Sequence, residues 1–301
     1  MNLNLKNDKN VLKLVNYRIC EEIATKDKSL EDNFSQSTID LPLLKFNKLE
    51  EIDFINHCFT TREGGVSKNH LSSLNLSFTR GDEREKVLEN YRRLAIALEC
   101  NLDDFVLSSQ THTTNVLRVT KEDAGNGITK ELPYDDIDGL VTNELGLVLS
   151  TFYADCVPLY FVDTKNKAIG LSHSGWRGTV KRMGQVTLEK MAKEFGTDPK
   201  DVICAIGPSI CQQCYEVSLD VANEFIDEFK GHEDEIIIYK ENDKCLLNLW
   251  RANEIVLEDA GVLKENIAIT NVCTCCNSKY LYSHRASNGK RGNLGAFMYI
   301  K

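Results

Sequence analysis

LGLVLSTFYADCVPLYFVDTKNKAIGLSHSGWRGTV, residues 145–180, decides the fold of this chain. It holds three strand-like apolar runs, at 145–152, 159–162 and 168–172. The DTKNK segment between the last two reads as a tight hairpin turn. The third run ends in a glycine-flanked junction and gives way to a helical pattern over 179–195. There Val180, Met183, Thr187, Met191 and Phe195 share one face, and Gly196 suits a left-handed end cap. A hairpin followed by a strand-to-helix step favours a mixed sheet flanked by helices over a doubly wound parallel sheet.

The same alternation continues outward. Further strands are expected at 54–60, 202–206, 236–239 and 267–271. Gly64-Gly65 after the first of these marks a turn with unusual backbone angles. Helices are expected at 85–99, 218–229 and 249–260. In the first, Val87, Tyr91, Leu94, Ala95 and Leu98 form the apolar face, with Asp82, Glu83 and Glu85 near the positive end of its dipole. Residues 1–45 carry little pattern beyond a short strand at 11–19, and the polar 26–38 reads as loop. The expectation is one α+β domain with central mixed β-sheets over residues 46–301, preceded by an N-terminal extension, 1–45, that is partly loop.

The chain has 301 residues, 42% apolar and 27% charged, with 36 basic against 45 acidic side chains and a net charge of −9. That balance argues against a nucleic-acid partner. No apolar run is long enough for a membrane span, and MNLNLKNDKN lacks the pattern of a signal peptide, so a cytoplasmic location is expected. Eleven cysteines, an odd number, in a chain of this length read as mostly reduced thiols.

Reactive residues stand at the ends of apolar strands in four places: SSQTH (108–112), ADCVP (154–158), HSGWRG (173–178) and IGP (206–208). His112, Cys156 and His173 together offer two imidazoles and a thiolate. That set suits Zn²⁺ with one coordination position left open, and it is also compatible with copper. A buried cysteine and two hydrogen-bonded histidines would read the same way. Gly175 and Gly178 allow a tight turn into a helix whose free N–H groups, with Arg177, could hold a phosphate. Taken alone, that segment fits a plain turn with a solvated arginine better. Cys211 and Cys214 form a CxxC, whereas the later group Cys273, Cys275 and Cys276 is read as lacking that spacing, which disfavours a four-cysteine zinc site. No P-loop, GxGxxG, HExxH or nucleoside-deaminase signature is present.

HCFTTREGGVS (57–67), LNL (74–76), SSQTH (108–112), DGLVT (138–142), ADCVP (154–158), HSGWRG (173–178), IGPSI and CYEV (206–217), and SHRASNGKRG (283–292) occur in that order. Together they resemble the YfiH family, also called the laccase-domain or multicopper polyphenol oxidase family and the peptidoglycan editing factor family. HSGWRG stands where HAGWRG is usual. The resemblance implies an α+β domain with a sandwich-like core and a metal site of His112, Cys156 and His173, holding Zn²⁺ or Cu²⁺. It implies a purine nucleoside phosphorylase that cleaves adenosine, inosine and methylthioadenosine with phosphate to free base and ribose 1-phosphate, with adenosine deaminase activity in some members.

On that reading His112, Cys156, His173 and Arg62 are the catalytic candidates. Arg62 and Arg177 would meet phosphate or leaving-group charge, since phosphorolysis spreads negative charge that guanidinium groups match. Asn75, Tyr215, His284 and Arg285 are candidate substrate contacts, and Asp155 is the candidate for orienting a ligand histidine. The partners would be nucleoside and phosphate, with no nucleic acid and no membrane, acting as monomer or homodimer. A rival reading makes Cys156 a nucleophile with His112 or His173 as base, in an amide hydrolase that edits peptidoglycan precursors. A metal-binding interaction module is a third. A copper-dependent polyphenol oxidase fits poorly: the chain has six histidines, and His57, His70 and His232 have no obvious place in one site.

Overall fold

A computed structural model describes residue 3, residues 11–21 and residues 37–301 of the chain. Most of the polar segment at 26–38 lies outside the described residues. The strands are β1 (Leu12–Glu21), β2 (Ser37–Phe46), β3 (Ile55–Thr60), β4 (Phe105–Leu107), β5 (Val116–Arg118), β6 (Gly139–Thr142), β7 (Val148–Tyr153), β8 (Val157–Asp163), β9 (Ala168–Ser174), β10 (Val202–Ile206), β11 (Glu216–Ser218), β12 (Ile237–Tyr239), β13 (Lys244–Leu247), β14 (Ile267–Ile269) and β15 (Leu294–Ile300). The helices are α1 (Asn47–Glu50), α2 (Arg84–Leu98), α3 (Trp176–Val180), α4 (Met183–Phe195), α5 (Leu219–Glu228), α6 (Glu233–Ile236), α7 (Leu249–Asp259) and α8 (His284–Ser287).

Two mixed six-stranded sheets carry the fold, ordered β1-β2-β3-β15-β7-β4 and β14-β10-β8-β9-β6-β5, with a small β11-β13-β12 sheet beside them. Most neighbours run antiparallel; β4–β7, β5–β6 and β10–β14 are parallel. The expected α+β class with mixed, sandwich-like sheets is therefore what the chain adopts.

The middle strands show why. In β8, Leu159 and Phe161 belong to the apolar cluster shared with α4, α5 and α7. Tyr160 and Val162 point the other way, into the cluster between the two large sheets, where they meet Leu149, Tyr153, Ala296 and Met298. A strand covered on both faces reads as a continuous apolar run rather than an alternating one. Each such side chain stabilises the fold by about 2 kcal/mol relative to exposure. On the outer face of the first sheet, α2 packs Val87, Tyr91 and Leu94 against Phe105, Val148 and Phe297. The result is four layers, helix–sheet–sheet–helix.

The expected turn at 163–167 closes the β8–β9 hairpin, with Asp163 opposite Ala168. Asp163 stabilises it by accepting hydrogen bonds from the N–H groups of Lys165 and Asn166, both at 2.9 Å. The helix expected over 179–195 is instead two helices. Arg182 breaks it with a left-handed φ of 57°. That conformation costs about 1–2 kcal/mol. It is offset by guanidinium contacts to Glu228 at 3.0 Å and Asp259 at 2.7 Å, which tie the break to the ends of α5 and α7. β7 begins at Val148 rather than 145 because Gly146 turns with a φ of 68°. In the N-terminal region, β1 pairs with β2 from Leu12 opposite Phe46 to Glu21 opposite Ser37, and β2 continues onto β3. Residue 45 thus falls within β2.

Candidate active site and metal centre

The β8–β9 hairpin places Cys156 just before β8 and His173 near the end of β9, opposite Pro158. His112 arrives from the loop after β4, with a left-handed φ of 69°. One ligand atom from each of these three residues lies within 4.8 Å of the other two. Cys156 Sγ is 3.9 Å from His112 Nε2, and the two imidazole rings meet edge to face with centroids 4.9 Å apart. Three stretches far apart in sequence are brought to one point.

Gly175 makes room for that convergence. Its φ of −72° is ordinary, so the glycine is not required by the turn itself. A Cβ there would sit 3.0 Å from His112 Cδ2 and 3.2 Å from Cys156 Sγ. The glycine is needed for close approach.

The carboxylate hydrogen-bonded to His173 is that of Asp138, not Asp155. Asp138 Oδ1 lies 2.7 Å from His173 Nδ1, which leaves His173 Nε2 to face the cluster. Asp138 is itself fully buried and accepts from the backbone N–H groups of Thr111 (3.0 Å), His112 (3.1 Å) and Thr113 (2.9 Å). One carboxylate therefore fixes both the ring on β9 and the loop that carries His112. Asp155 instead accepts from Thr274 Oγ1 at 2.6 Å and from the Arg285 N–H at 2.7 Å. Asp155 itself has a left-handed φ of 88°.

Electrostatics activate the cluster. Burial alone would raise the Cys156 thiol, but His173 and His112 outweigh it and bring the pKa down to about 6. Burial alone would lower His173, but the Cys156 thiolate and Asp138 outweigh it and bring the imidazole up to about 9. A thiolate beside an imidazolium is the stable form of the pair without a cation. Two nitrogen donors, one sulfur donor and a carboxylate behind one imidazole also form a donor set that fits Zn²⁺ with a position left open.

A cleft of about 700 Å³ opens beside the cluster and is lined by His112, Cys156 and His173 together with Phe78, Phe152, Arg80, Arg84 and Arg291. That is a volume suited to a small-molecule ligand. Arg291 is half-buried; its guanidinium donates to Asn293 and to the Gly292 carbonyl (3.3 Å), while its buried Nε atom has no hydrogen-bond partner among the described residues. Burial, with Arg80 nearby, lowers its pKa to about 10, while the charges of Cys156 and Asp155 act the other way. Arg84 stacks over the Phe78 ring at 4.9 Å and donates to the Ile128 carbonyl at 2.8 Å.

The other expected site residues lie outside the lining of this cleft. Arg62 donates to the carbonyls of Ser72 (2.8 Å) and Ser278 (3.1 Å) and lies over the Tyr282 ring. It clamps two loops. Asn75 is buried, donates to Asp82 and accepts from the N–H groups of Ser77 and Asn293, so its amide is committed to local structure. Tyr215, Arg285 and His284 gather on a neighbouring wall. Arg285 lies over the Tyr215 ring at 5.5 Å and donates to the carbonyls of Cys214 (3.0 Å) and Glu216 (2.7 Å). His284 is exposed at the start of α8, and Arg177 is exposed over Trp176. Asp138, Arg80 and Arg291 were missed in the sequence, although Asp138 and Arg291 lie within the quoted DGLVT and SHRASNGKRG stretches.

A second cluster corrects the reading of the cysteines. One sulfur each from Cys211, Cys214, Cys273 and Cys276 lies within 4.8 Å of the others. Cys273 and Cys276 do stand at CxxC spacing; Cys275 between them disguises it. The remaining histidines do not join either group. His57 is a core residue whose Nε2 accepts from the Phe46 N–H at 2.9 Å, and His232 pairs with Glu235.

A two-sheet α+β domain with a His/Cys/His cluster beside a cationic cleft defines the class, and sequence similarity places it. The family described as multi-copper polyphenol oxidoreductase laccase matches residues 56–301, and the chain belongs to it. The chain is 33% identical over 244 residues to the purine nucleoside phosphorylase YlmD of Bacillus subtilis, covering 81% of this chain and 87% of that protein. It is 33% identical to adenosine deaminase RL5 from an unknown prokaryotic organism, over 84% of this chain and 99% of that one. Among solved structures, the YfiH protein of Bacillus licheniformis superimposes with a TM-score of 0.82 at 29% identity, covering 86% of this chain and 96% of that one. Among the described residues, no helix is long and apolar enough to cross a membrane.

Proposed function

We propose that this chain is a cytoplasmic purine nucleoside phosphorylase that cleaves adenosine, inosine and methylthioadenosine with phosphate, giving free base and ribose 1-phosphate, with adenosine deamination as a second activity. The observation that carries the reading is the meeting of the His112–Cys156–His173 cluster with Arg80, Arg84 and Arg291 in one cleft. The names of the relatives support it.

His112, Cys156 and His173 hold the metal, with zinc the better match to two nitrogens and a sulfur and copper the alternative. Bound there, such an ion would supply Lewis-acid chemistry to the site. Asp138 holds the Nδ1 proton of His173 and so keeps Nε2 free to ligate. Arg291 and Arg80 bind the phosphate dianion, and their charge persists as negative charge spreads over phosphate and departing base. Phe78 and Phe152 offer apolar faces to the purine. Tyr215, Arg285, His284 and Arg177 extend substrate contacts from the neighbouring wall, while Arg62 and Asn75 act by positioning the loops around the cleft.

The test incubates purified protein with adenosine and inosine, with and without phosphate, beside a Cys156→Ala variant. Phosphate-dependent release of base, lost in the variant together with one equivalent of metal, is expected. Equal base release without phosphate would overturn phosphorolysis.

One observation favours a second reading. Cys156, His173 and Asp138 are arranged as nucleophile, base and orienting carboxylate, with the thiol pKa lowered. A cysteine-dependent hydrolase of peptidoglycan amides would use them so. Amide cleavage by metal-stripped protein would establish that reading over the first.

A further inference from the structure

We propose that Cys211, Cys214, Cys273 and Cys276 form a second metal site, a closed tetrathiolate that binds one Zn²⁺ and fastens two loops of the fold together. The four sulfurs come from two CxxC pairs far apart in sequence, one after β10 and one after β14, adjacent parallel strands of the same sheet. A bridge from Ser209 to Cys273 carries that pairing on beyond the strand ends. The parallel arrangement delivers both pairs to the same end of the sheet.

The four sulfurs are close enough together to share one ion. Zinc–sulfur bonds of about 2.3 Å require neighbouring sulfurs about 3.8 Å apart. All four lie within 4.8 Å of one another, and Cys214 Sγ is 3.5 Å from Cys276 Sγ. Backbone N–H groups point at one of the sulfurs: those of Cys211 and Cys276 lie 3.3 and 3.4 Å from Cys273 Sγ. Such donors stabilise a thiolate rather than a thiol. Cys211 and Cys273 are buried, whereas Cys276 is exposed, so an ion has a path in. Sulfur in all four positions selects zinc over magnesium, calcium or manganese, and four protein ligands leave no position for substrate.

The site would fix the wall next to the cleft. Between the two pairs, the Cys214 and Glu216 carbonyls hold Arg285, and Thr274 next to Cys273 holds Asp155, the neighbour of Cys156. Binding by the tetrathiolate does not depend on what reaction the other cluster performs.

The experiment removes the other cluster first. A His112→Ala/His173→Ala double variant, purified without chelator, is analysed for metal content and for the zinc X-ray absorption fine structure. One zinc per chain with a shell of four sulfurs at about 2.3 Å is expected. The same protein carrying Cys214→Ser/Cys276→Ser in addition is expected to hold none and to melt at a lower temperature. No zinc in the double variant, a shell containing nitrogen or oxygen, a tightly held iron in its place, or a Cys214–Cys276 disulfide in the purified protein would each overturn the proposal. If the quadruple variant does not fold, the absorption spectrum of the double variant decides alone.

Discussion

The chain gathers soft ligands twice, and the two gatherings are built on opposite plans. At His112, Cys156 and His173 three donors from three distant segments border a cleft of about 700 Å³. At Cys211, Cys214, Cys273 and Cys276 four donors from two short motifs lie within 4.8 Å of one another. Three ligands and open space suit a working centre; four ligands and no vacancy suit a fastening. The difference extends to their supports. The first has a buried carboxylate aligning an imidazole, and the second has backbone N–H groups on sulfur. Asp155 lies between them, next to Cys156 in sequence and bonded to Thr274 beside the cysteine cluster. The lesson is that donor count and access, rather than donor identity, separate the roles.

The largest effect that would break this contrast is at Cys156. Cys156→Ala removes the sulfur of the three-ligand site, and phosphate-dependent nucleoside cleavage should fall by at least about 100-fold, the loss expected when transition-state charge stabilisation is removed. Steady-state assays with inosine check it, and activity within twofold of wild type would place the chemistry elsewhere. Next in size is Asp138→Asn. It keeps the shape but removes the negative charge and sets an NH2 donor against the N–H groups that Asp138 receives, so the His173 ring is held less well and metal affinity or kcat should fall about 10–100-fold. Competition with a chromophoric chelator reads the affinity directly.

Gly175→Ala sharpens the comparison by crowding one cluster only. Its Cβ would press on His112 and Cys156 Sγ at 3.0 and 3.2 Å, so metal at the three-ligand site should bind more weakly while the tetrathiolate retains its zinc. Metal analysis after dialysis against a weak chelator distinguishes the two. The smallest effect is a control at the far end of the same hairpin. The hydrogen bonds to Asp163 outweigh its burial and hold its carboxyl below the usual range. It therefore contributes stability that is present above the unfolded pKa of about 3.9 and is lost as pH falls through the folded value. In Asp163→Asn the acid side of the thermal-stability profile should flatten, by about 1–2 kcal/mol at neutral pH for the lost charge-assisted bonds. Metal content should not change; a loss of metal would mean that the hairpin turn governs the site.

How much of this could be read beforehand follows the same physics. β8, β9 and β10 were visible because strands covered on both faces must be apolar throughout. β2 was not: Ser37, Thr38 and Asp40 are polar, and the buried stretch runs only from Leu41 to Phe46. The break at Arg182 was hidden because helical periodicity continues across it, and only contacts with the ends of α5 and α7 reveal why the chain turns there. In the site, His112, Cys156 and His173 stood out as reactive residues at strand ends. Asp138 did not, because a buried carboxylate receiving three backbone N–H groups looks in sequence like any aspartate before a glycine. Arg62 attracted attention from its glycine turn, yet its guanidinium is taken up by two carbonyls. Arg291 owes its character to burial, which its polar neighbours conceal. The second CxxC was obscured by an extra cysteine at 275, and only the parallel pairing of β10 with β14 brings it to the first.

The most direct measurement follows phosphorus during turnover of inosine, by ³¹P magnetic resonance with the base quantified in the same tube. A ribose 1-phosphate signal that grows one-for-one with free hypoxanthine, at the expense of inorganic phosphate, is expected. Hypoxanthine accumulating while the phosphate signal stays constant would contradict it.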